Sequence, residues 1–439
     1  MWFKVSGFPE LLPEQKIIEE KILKIISENY KKLGYTSIET PAVEKNEVLT
    51  AKWGDEVWKQ IFWLYGLSQW CEDTKTYSLH FDLTVPFARY VLDHKNELTF
   101  PFKRSQIQKV WRWERAQKWR FREFYQADID VIWDDRWNEN KSIFLFYDAE
   151  VIFLLKNTLE KIFKELNLNK SFQVNINHKN IISWYIWDYL WCEDKLIQIT
   201  TIIDKKDKIS KEEFIKELEN IWLDSEKIDK ILYFSNLENI EELENINSEK
   251  LQSWLEDVKT IVNYLKKLWT NVKINLGIMR GLDYYTWIVF ETFIEWERKL
   301  GSIASGGRYE KLTSFIDPKT SFSGVGGSIW VSRLQSYIFE KIELNQKTSS
   351  EYMLVNFAST QDDILNLYKK LLENAINIEL YPKDDKLWKQ FKYADKKGIK
   401  YVIILWEDEK QKWIFQVKNM ESGEIKEYNL DLEQENLIC

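Results

Sequence analysis

Past residue 350 the sequence alternates short apolar runs with helix-length amphipathic ones, which restricts what this stretch can become. The pattern predicts strand 352–358, helix 361–375, strand 377–381, helix 385–397, strand 399–405 and a closing hairpin. Strands alternating with helices give a small α/β domain with right-handed crossovers. The stretch EKIELNQKTSS at 340–350 reads as a linker, with 341–350 as its bounds and 351–439 as the domain.

The chain before the linker is patterned differently. Residues 13–33 predict an amphipathic helix, with Pro13 in its first turn, Ile18, Ile22, Ile25 and Ile26 on one face, and Gly34 as its stop. An extended stretch from Tyr35 to Pro41 comes next. Between Lys273 and Thr292 apolar residues alternate as in antiparallel strands, and glycine-rich stretches stand at 301–312 and 324–334. Residues 171–268, rich in Lys, Glu, Ile, Asn and Leu, predict a mainly helical insertion, with Ser210 and Glu213 as a capping box. That leaves 1–170 and 269–340 as two parts of one core.

Composition excludes several classes. No run approaches the ~18 apolar residues of a membrane span, and the N-terminus has no signal-peptide core. Three distant cysteines (Cys71, Cys192, Cys439) and three histidines (His80, His94, His178) support neither a disulfide framework nor a histidine-rich metal site. The expectation is a soluble, reduced, cytoplasmic protein with no membrane partner. The net charge of −8 argues against indiscriminate nucleic-acid binding. It hides a local contrast, because Lys103–Arg122 holds eight basic residues and one acid, Glu114. A basic run is usually a solvated face. Here arginines interleave with Trp111, Phe121, Phe124 and Tyr125, which favours an anionic ligand.

Further arginines in IMRGLDYYT and GVGGSIWVSRL could converge with that run on a polyphosphate, with glycines at 301–307 and 324–327 allowing close approach to the backbone. No GxxxxGK[ST] occurs, and no GxGxxG lies between a strand and a helix, so neither a P-loop nor a Rossmann site is supported. The ordered set GYTSIETPAV (34–43), FDLTVPFAR (81–89), KVWRWERAQKWRFREFYQADIDV (109–131), RGLDYYT (280–286), SIASGGRY (302–309) and GVGGSIWVSRL (324–334) resembles class II aminoacyl-tRNA synthetases, and among them histidyl-tRNA synthetases. The first, third and last resemble class motifs 1, 2 and 3, with Pro41 as the motif 1 proline.

The resemblance implies an α+β catalytic domain, an antiparallel sheet flanked by helices, followed by an α/β anticodon-binding domain. It implies activation of histidine by ATP with Mg²⁺, then transfer to tRNA(His), by a homodimer. Arg112 matches the residue that holds the ATP α-phosphate, Arg333 the one on the γ-phosphate, and Glu114 accompanies them at the nucleotide. Asp82 and Thr84 match residues on the amino group of histidine. Gln126 and Arg280 match residues near its carboxylate, with Arg280 also facing the α-phosphate. Asp130, Tyr284, Tyr285 and Tyr309 match residues around the imidazole. Arg115 and Gln117, at the motif 2 loop tip, would meet the tRNA acceptor end. The alternative is an inactive synthetase-like regulatory subunit of ATP phosphoribosyltransferase. Such regulators typically lack the anticodon-binding domain and erode RGLDYYT, and this chain keeps both.

One oddity remains. Glycine occurs 14 times and tryptophan 22 times in 439 residues. Glycine is therefore about half as frequent as usual, and the two together approach an ordinary glycine content of about 7%. In the family pattern Trp119, Trp287 and Trp330 stand where glycine is expected, and Trp388 and Trp406 look the same. The economical reading is that UGA codons meaning glycine are rendered as tryptophan. Position 330 matters most, because in the family the nucleotide base packs on bare backbone there.

Overall fold

A computed structural model describes residues 4–51, 59–66, 76–137, 141–206, 209–237, 240–278 and 285–430. Arg280 and Tyr284 lie outside the described residues. The chain divides into two compact units, Met1–Pro9 with Ile22–Ile338, and Glu10–Lys21 with Phe339–Cys439.

Helix α1 (Pro13–Lys32) forms where predicted, with Ile22, Ile25 and Ile26 buried, and Gly34 stands after it in the left-handed region at φ +81°. The strands of the larger unit are β1 (Thr36–Ser37), β2 (Val43–Lys45), β3 (Phe62–Leu64), β4 (Tyr77–Leu79), β5 (Phe102–Trp111), β6 (Glu123–Asp134), β7 (Phe172–His178), β8 (Val272–Ile274), β9 (Ile288–Ile294), β10 (Ala304–Tyr309) and β11 (Phe322–Trp330). Among the described residues, eight of them form one sheet in the order β1-β5-β6-β11-β10-β9-β7-β8. Its interior pairs are antiparallel, and the two edge pairs, β1 with β5 and β7 with β8, are parallel. The remaining three form a small sheet in the order β2-β4-β3.

Helix α2 (Thr84–His94) buries Val85, Phe87, Ala88 and Val91, and α3 (Lys141–Glu165) packs on β10 and β11. The region expected to be an insertion begins differently. Residues Phe172–His178 are a strand of the main sheet, paired with β9 along its whole length, so the helical part starts only at Lys179. The reason is burial: β7 is covered on both faces, so it lacks the alternation that marks a half-exposed strand. After it come α4 (Lys179–Trp184), α5 (Leu196–Asp204), α6 (Lys211–Asn220), α7 (Ser225–Ser235) and α8 (Glu249–Lys267). Ser210 caps α6 as expected, its hydroxyl accepting from the Glu213 N–H at 3.1 Å. Helix α9 (Val331–Phe339) lies directly after β11.

The smaller unit holds β12 (Tyr352–Leu354), α10 (Gln361–Glu373), β13 (Ile378–Leu380), α11 (Leu387–Lys397), β14 (Tyr401–Ile404) and the hairpin β15 (Ile414–Asn419) to β16 (Ile425–Asn429). Its sheet runs β13-β12-β14-β15-β16, with parallel pairing among the first three. The strands are shorter than the apolar runs suggested.

The backbone also bears on the tryptophan excess. Nine described non-glycine residues have positive φ, and six are tryptophans: Trp119, Trp191, Trp222, Trp269, Trp296 and Trp413, at φ 53–67°. A bulky L-residue there is a steric outlier, whereas glycine adopts the region freely. Trp191, Trp222, Trp269 and Trp296 are 85–95% exposed, so no packing compensates for the strain.

Candidate functional site

Pairing β5, β6 and β11 brings polar residues of alternating spacing onto one face. Gln126, Asp128 and Asp130 on β6 point the same way because side chains repeat every two residues. Across the strand pair Arg104 stands opposite Asp130 and Gln106 opposite Asp128. Together with Asp82, Thr84, Arg112, Tyr285 and Tyr309 the β6 residues line a cavity of about 350 Å³.

Within this cavity the Tyr309 hydroxyl donates to Asp130 Oδ1 at 2.7 Å. Arg104, fully buried, places Nη2 2.7 Å from Asp130 Oδ2 and 3.7 Å from Asp128 Oδ2, with its plane 4.4 Å over Phe87. Asp82 accepts from the Val85 N–H at the start of α2. Burial pushes the Asp82 carboxyl up to about 6 and that of Asp130 up to about 7, although Arg104 pulls the latter back. Asp128 is raised for the same reason. Four carboxyls, Asp82, Asp128, Asp130 and Glu291, against the single lining arginine Arg112 suit a cationic ligand. Gln126 Nε2 faces Ser328 Oγ at 3.3 Å, and its buried Oε1 has no hydrogen-bond partner. Gly326, cross-strand from Asp130, is obligatory: a Cβ there would collide with the Asp130 carboxylate.

Arg112 is shared between this cavity and a second one, of about 300 Å³, lined by Glu114, Trp119, Arg120, Phe121, Phe124, Trp330 and Arg333. Arg112 Nε donates to Phe81 O at 2.9 Å, and burial lowers its pKa. Arg333, on α9, donates from Nη1 to Ser302 O at 2.6 Å. The Trp330 indole sits between these groups. It stacks 5.8 Å from Phe124, with Arg112 at 5.2 Å and Arg333 at 5.3 Å from its centroid. The slot is thus lined by an aromatic face and two guanidiniums, surroundings that suit a flat π system.

The basic run does not converge as a whole. Lys103 pairs with Glu150 and Lys109 with Glu123, Arg104 pairs with Asp130, and Arg120 pairs with Glu114. Arg112 is the member on the line between the two cavities. Arg115 and Gln117 are exposed on the β5–β6 loop, whose tip is closed by paired backbone bonds between Gln117 and Arg120. The positive φ of Trp119 falls in that tip. Arg104 and Asp128 were not singled out from the sequence. The signal for them was present as polar residues at period two, Arg104-Gln106-Gln108 facing Gln126-Asp128-Asp130.

A sheet of this order, an acid-lined pocket joined by one arginine to an arginine-flanked aromatic slot, and a separate α/β unit define a class II aminoacyl-tRNA synthetase. A family model described as histidyl-tRNA synthetase matches residues 7–334, and an anticodon binding domain model matches 348–434. A histidine–tRNA ligase of Clostridium tetani is 37% identical, over 97% of this chain and 96% of its own. One of Finegoldia magna is 38% identical over 98% of each. The crystal structure of histidyl-tRNA synthetase from Nostoc sp. PCC 7120 superimposes with a TM-score of 0.85 at 31% identity, covering 98% of this chain and 97% of that one. The chain belongs to the histidyl-tRNA synthetase family.

Proposed function

We propose that this protein activates histidine with ATP to histidyl-adenylate and transfers the histidyl group to tRNA(His). The observation that carries the reading is the pair of cavities joined at Arg112, one acidic and one aromatic and basic. In the acidic cavity Asp82, Thr84 and Gln126 hold the α-ammonium, while Asp130, Tyr309 and Tyr285, with Tyr284, surround the imidazole. The α-carboxylate is then directed toward Arg112 and Arg280. It needs no general base, being ionised at neutral pH. Attack in line on the α-phosphorus expels pyrophosphate, and the cationic groups Arg112, Arg280 and Arg333 neutralise charge where it accumulates.

Among the described residues no group of three or more His, Cys, Asp or Glu could hold a metal by itself. That fits Mg²⁺ carried on ATP, whose phosphates and waters fill most of its coordination sphere while the protein gives one or two carboxylates. Glu114 and Asp204 are the carboxylates that line the nucleotide cavity. When bound, Mg²⁺ supplies neutralisation of the pyrophosphate leaving group.

The loop with Arg115 and Gln117 meets the acceptor end, and 351–439 meets the anticodon. The active species is a cytoplasmic homodimer paired through the segment around Pro41. The natural polypeptide carries glycine at Trp119, Trp287, Trp330, Trp388, Trp406 and at the other left-handed tryptophans. The strained backbone at six tryptophans supports that assignment, as does the indole in the nucleotide slot. An inactive regulatory role is disfavoured by the anticodon binding domain matched at 348–434 and by the RGLDYYT motif the sequence retains. The test is pyrophosphate exchange by the glycine-corrected protein with ATP and Mg²⁺. Exchange should require histidine, and equal exchange with proline or threonine would refute the reading.

A further inference from the structure

Arg104 is fully buried on β5, cross-strand from Asp130, and is not among the residues that line the acidic cavity. Its Nη2 lies 2.7 Å from Asp130 Oδ2 and 3.7 Å from Asp128 Oδ2, with the guanidinium over the Phe87 ring. The other side of the fork is held as firmly. Nη1 donates to Gln106 Oε1 at 2.9 Å, and Gln106 Nε2 donates to Thr40 Oγ1 at 2.9 Å and to Gln108 Oε1 at 2.8 Å. Gln108 Nε2 closes the chain on Thr40 O at 2.7 Å. Three polar side chains, from β5 and the residue before Pro41, therefore fix where the Arg104 charge stands. Stability does not account for it. Arg104 Nε is buried with no hydrogen-bond acceptor, and a buried charge network gains little over an apolar core of the same volume.

The effect of the arrangement falls on Asp130. Its Oδ1 accepts from the Tyr309 hydroxyl of β10, and its Oδ2 faces Arg104. The remaining surroundings mostly oppose its ionisation. Asp128 stands two residues away on β6, and Asp82 and Glu291 line the same cavity. Tyr285 adds a neutral hydroxyl, β11 adds Gly326 with no side chain, and Arg112 is the cation that the cavity itself contains. Burial raises the Asp130 carboxyl to about 7, and among the groups that oppose the rise Arg104 acts most strongly. Charge state decides what Asp130 can bind. A carboxylate accepts from a ring N–H, whereas a carboxylic acid presents its own proton to the ring. A neutral imidazole has one N–H and one bare nitrogen, so the two states of Asp130 face different nitrogens.

We propose that Arg104 is a positioning residue for histidine selection: it holds Asp130 as a hydrogen-bond acceptor, so that the imidazole is bound through its N–H, without itself touching the ligand. Asp128 shares the same guanidinium and opposes this action. The inference rests on the proposed placement of the imidazole at Asp130.

The test is pyrophosphate exchange by the full-length, glycine-corrected protein, with kcat/KM for histidine followed from about pH 5.5 to about 9 and melting temperature measured alongside. Free histidine titrates in this range too, but identically for every variant, so the displacement between variants is what is read. Arg104→Met removes the charge and should move the profile to higher pH by about one unit. Near neutral pH its histidine KM should rise about tenfold with the ATP KM unchanged, and most of the loss should vanish by about pH 9. Arg104→Lys keeps the charge without the fork and should cancel part of the shift. Asp128→Asn removes an opposing carboxyl and should move the profile to lower pH, by about half a unit. A loss equal at every pH would overturn the inference and make Arg104 merely structural. If Arg104→Met does not fold, Arg104→Lys and Asp128→Asn decide by their opposite displacements, and two unmoved profiles refute it. Absence of histidine-dependent exchange in the unsubstituted protein would instead bring down the placement of histidine, and the inference with it.

Discussion

The two cavities that meet at Arg112 are built on opposite principles. The acidic one is made by what its side chains supply: the carboxyls of Asp82, Asp128, Asp130 and Glu291 and the Tyr309 hydroxyl, carried by β6, β9, β10 and the residues just before α2, with Arg104 paired to Asp130. The nucleotide cavity depends equally on what is missing. Its walls, Phe124 and Arg333, make an aromatic slot only if the floor at 330 carries no side chain, and the written sequence places an indole there. A site made of side chains tolerates a change elsewhere. A site made of empty space does not tolerate a side chain on its floor.

The most severe challenge to this contrast is to correct every other glycine position and leave Trp330 in place. ATP binding should weaken by 10²-fold or more, since a ring that fills the slot must leave it first, whereas histidine binding should change little. Equilibrium titration of each substrate reads this directly. Unimpaired ATP binding by the Trp330 protein would mean that the indole is not in the purine's place.

A smaller effect tests the acidic side. For Asp82 at about 6 and Asp130 at about 7, the folded values are raised, so these carboxyls are protonated in mild acid and ionise as pH increases. The ionised forms are those that bind an ammonium, so kcat/KM for histidine should climb between about pH 5.5 and 8. The same raised values make folding stability greatest in the protonated range and lower it as pH rises through 6 and 7. Binding and stability should thus move in opposite directions. Tyr309→Phe removes a hydrogen bond that favours the Asp130 carboxylate, so it should move the profile to higher pH and raise the histidine KM about tenfold. The KM for ATP should stay put. An unmoved pH profile in Tyr309→Phe would separate Asp130 from histidine binding.

The smallest expected effect concerns the backbone away from both cavities. Trp222→Gly and Trp296→Gly sit at φ 64° and 67°, are 88% and 95% exposed, and touch neither cavity. Relief of the left-handed strain should raise stability by about 1 kcal/mol each, less the entropy that glycine adds to the unfolded chain. Thermal melting checks it, and a lower melting temperature in both would argue that these tryptophans are genuine.

Much of the fold was readable because its determinants are local. The helix of residues 13–33, the capping Ser210 and the strand–helix alternation after 350 arise from periodicity and hydrogen-bonding groups a few residues apart. Asp82, Gln126, Asp130 and Tyr309 were readable as candidates too, because they stand inside ordered motifs. The strand Phe172–His178 was missed because burial on both faces erases the alternation by which a strand is recognised. Which end of the Gln126 amide is left free was not readable, since that depends on its neighbours in space.

The family, the alternating elements, the residue types of the site and the arithmetic suspicion about tryptophan were all contained in the linear chain. Which neighbours each cation meets was decided by three-dimensional pairing alone. Of eight basic residues in one run, strand register paired Arg104 with Asp130, left Arg112 between the cavities and paired Lys103 and Lys109 with glutamates of their own. Asn177 and Lys179 likewise met Ile278 and Tyr285, about a hundred residues later in the chain, only when β7 was paired beside β9. The physical reason is the same in each case: local sequence sets what a side chain can do, and long-range pairing sets what it meets.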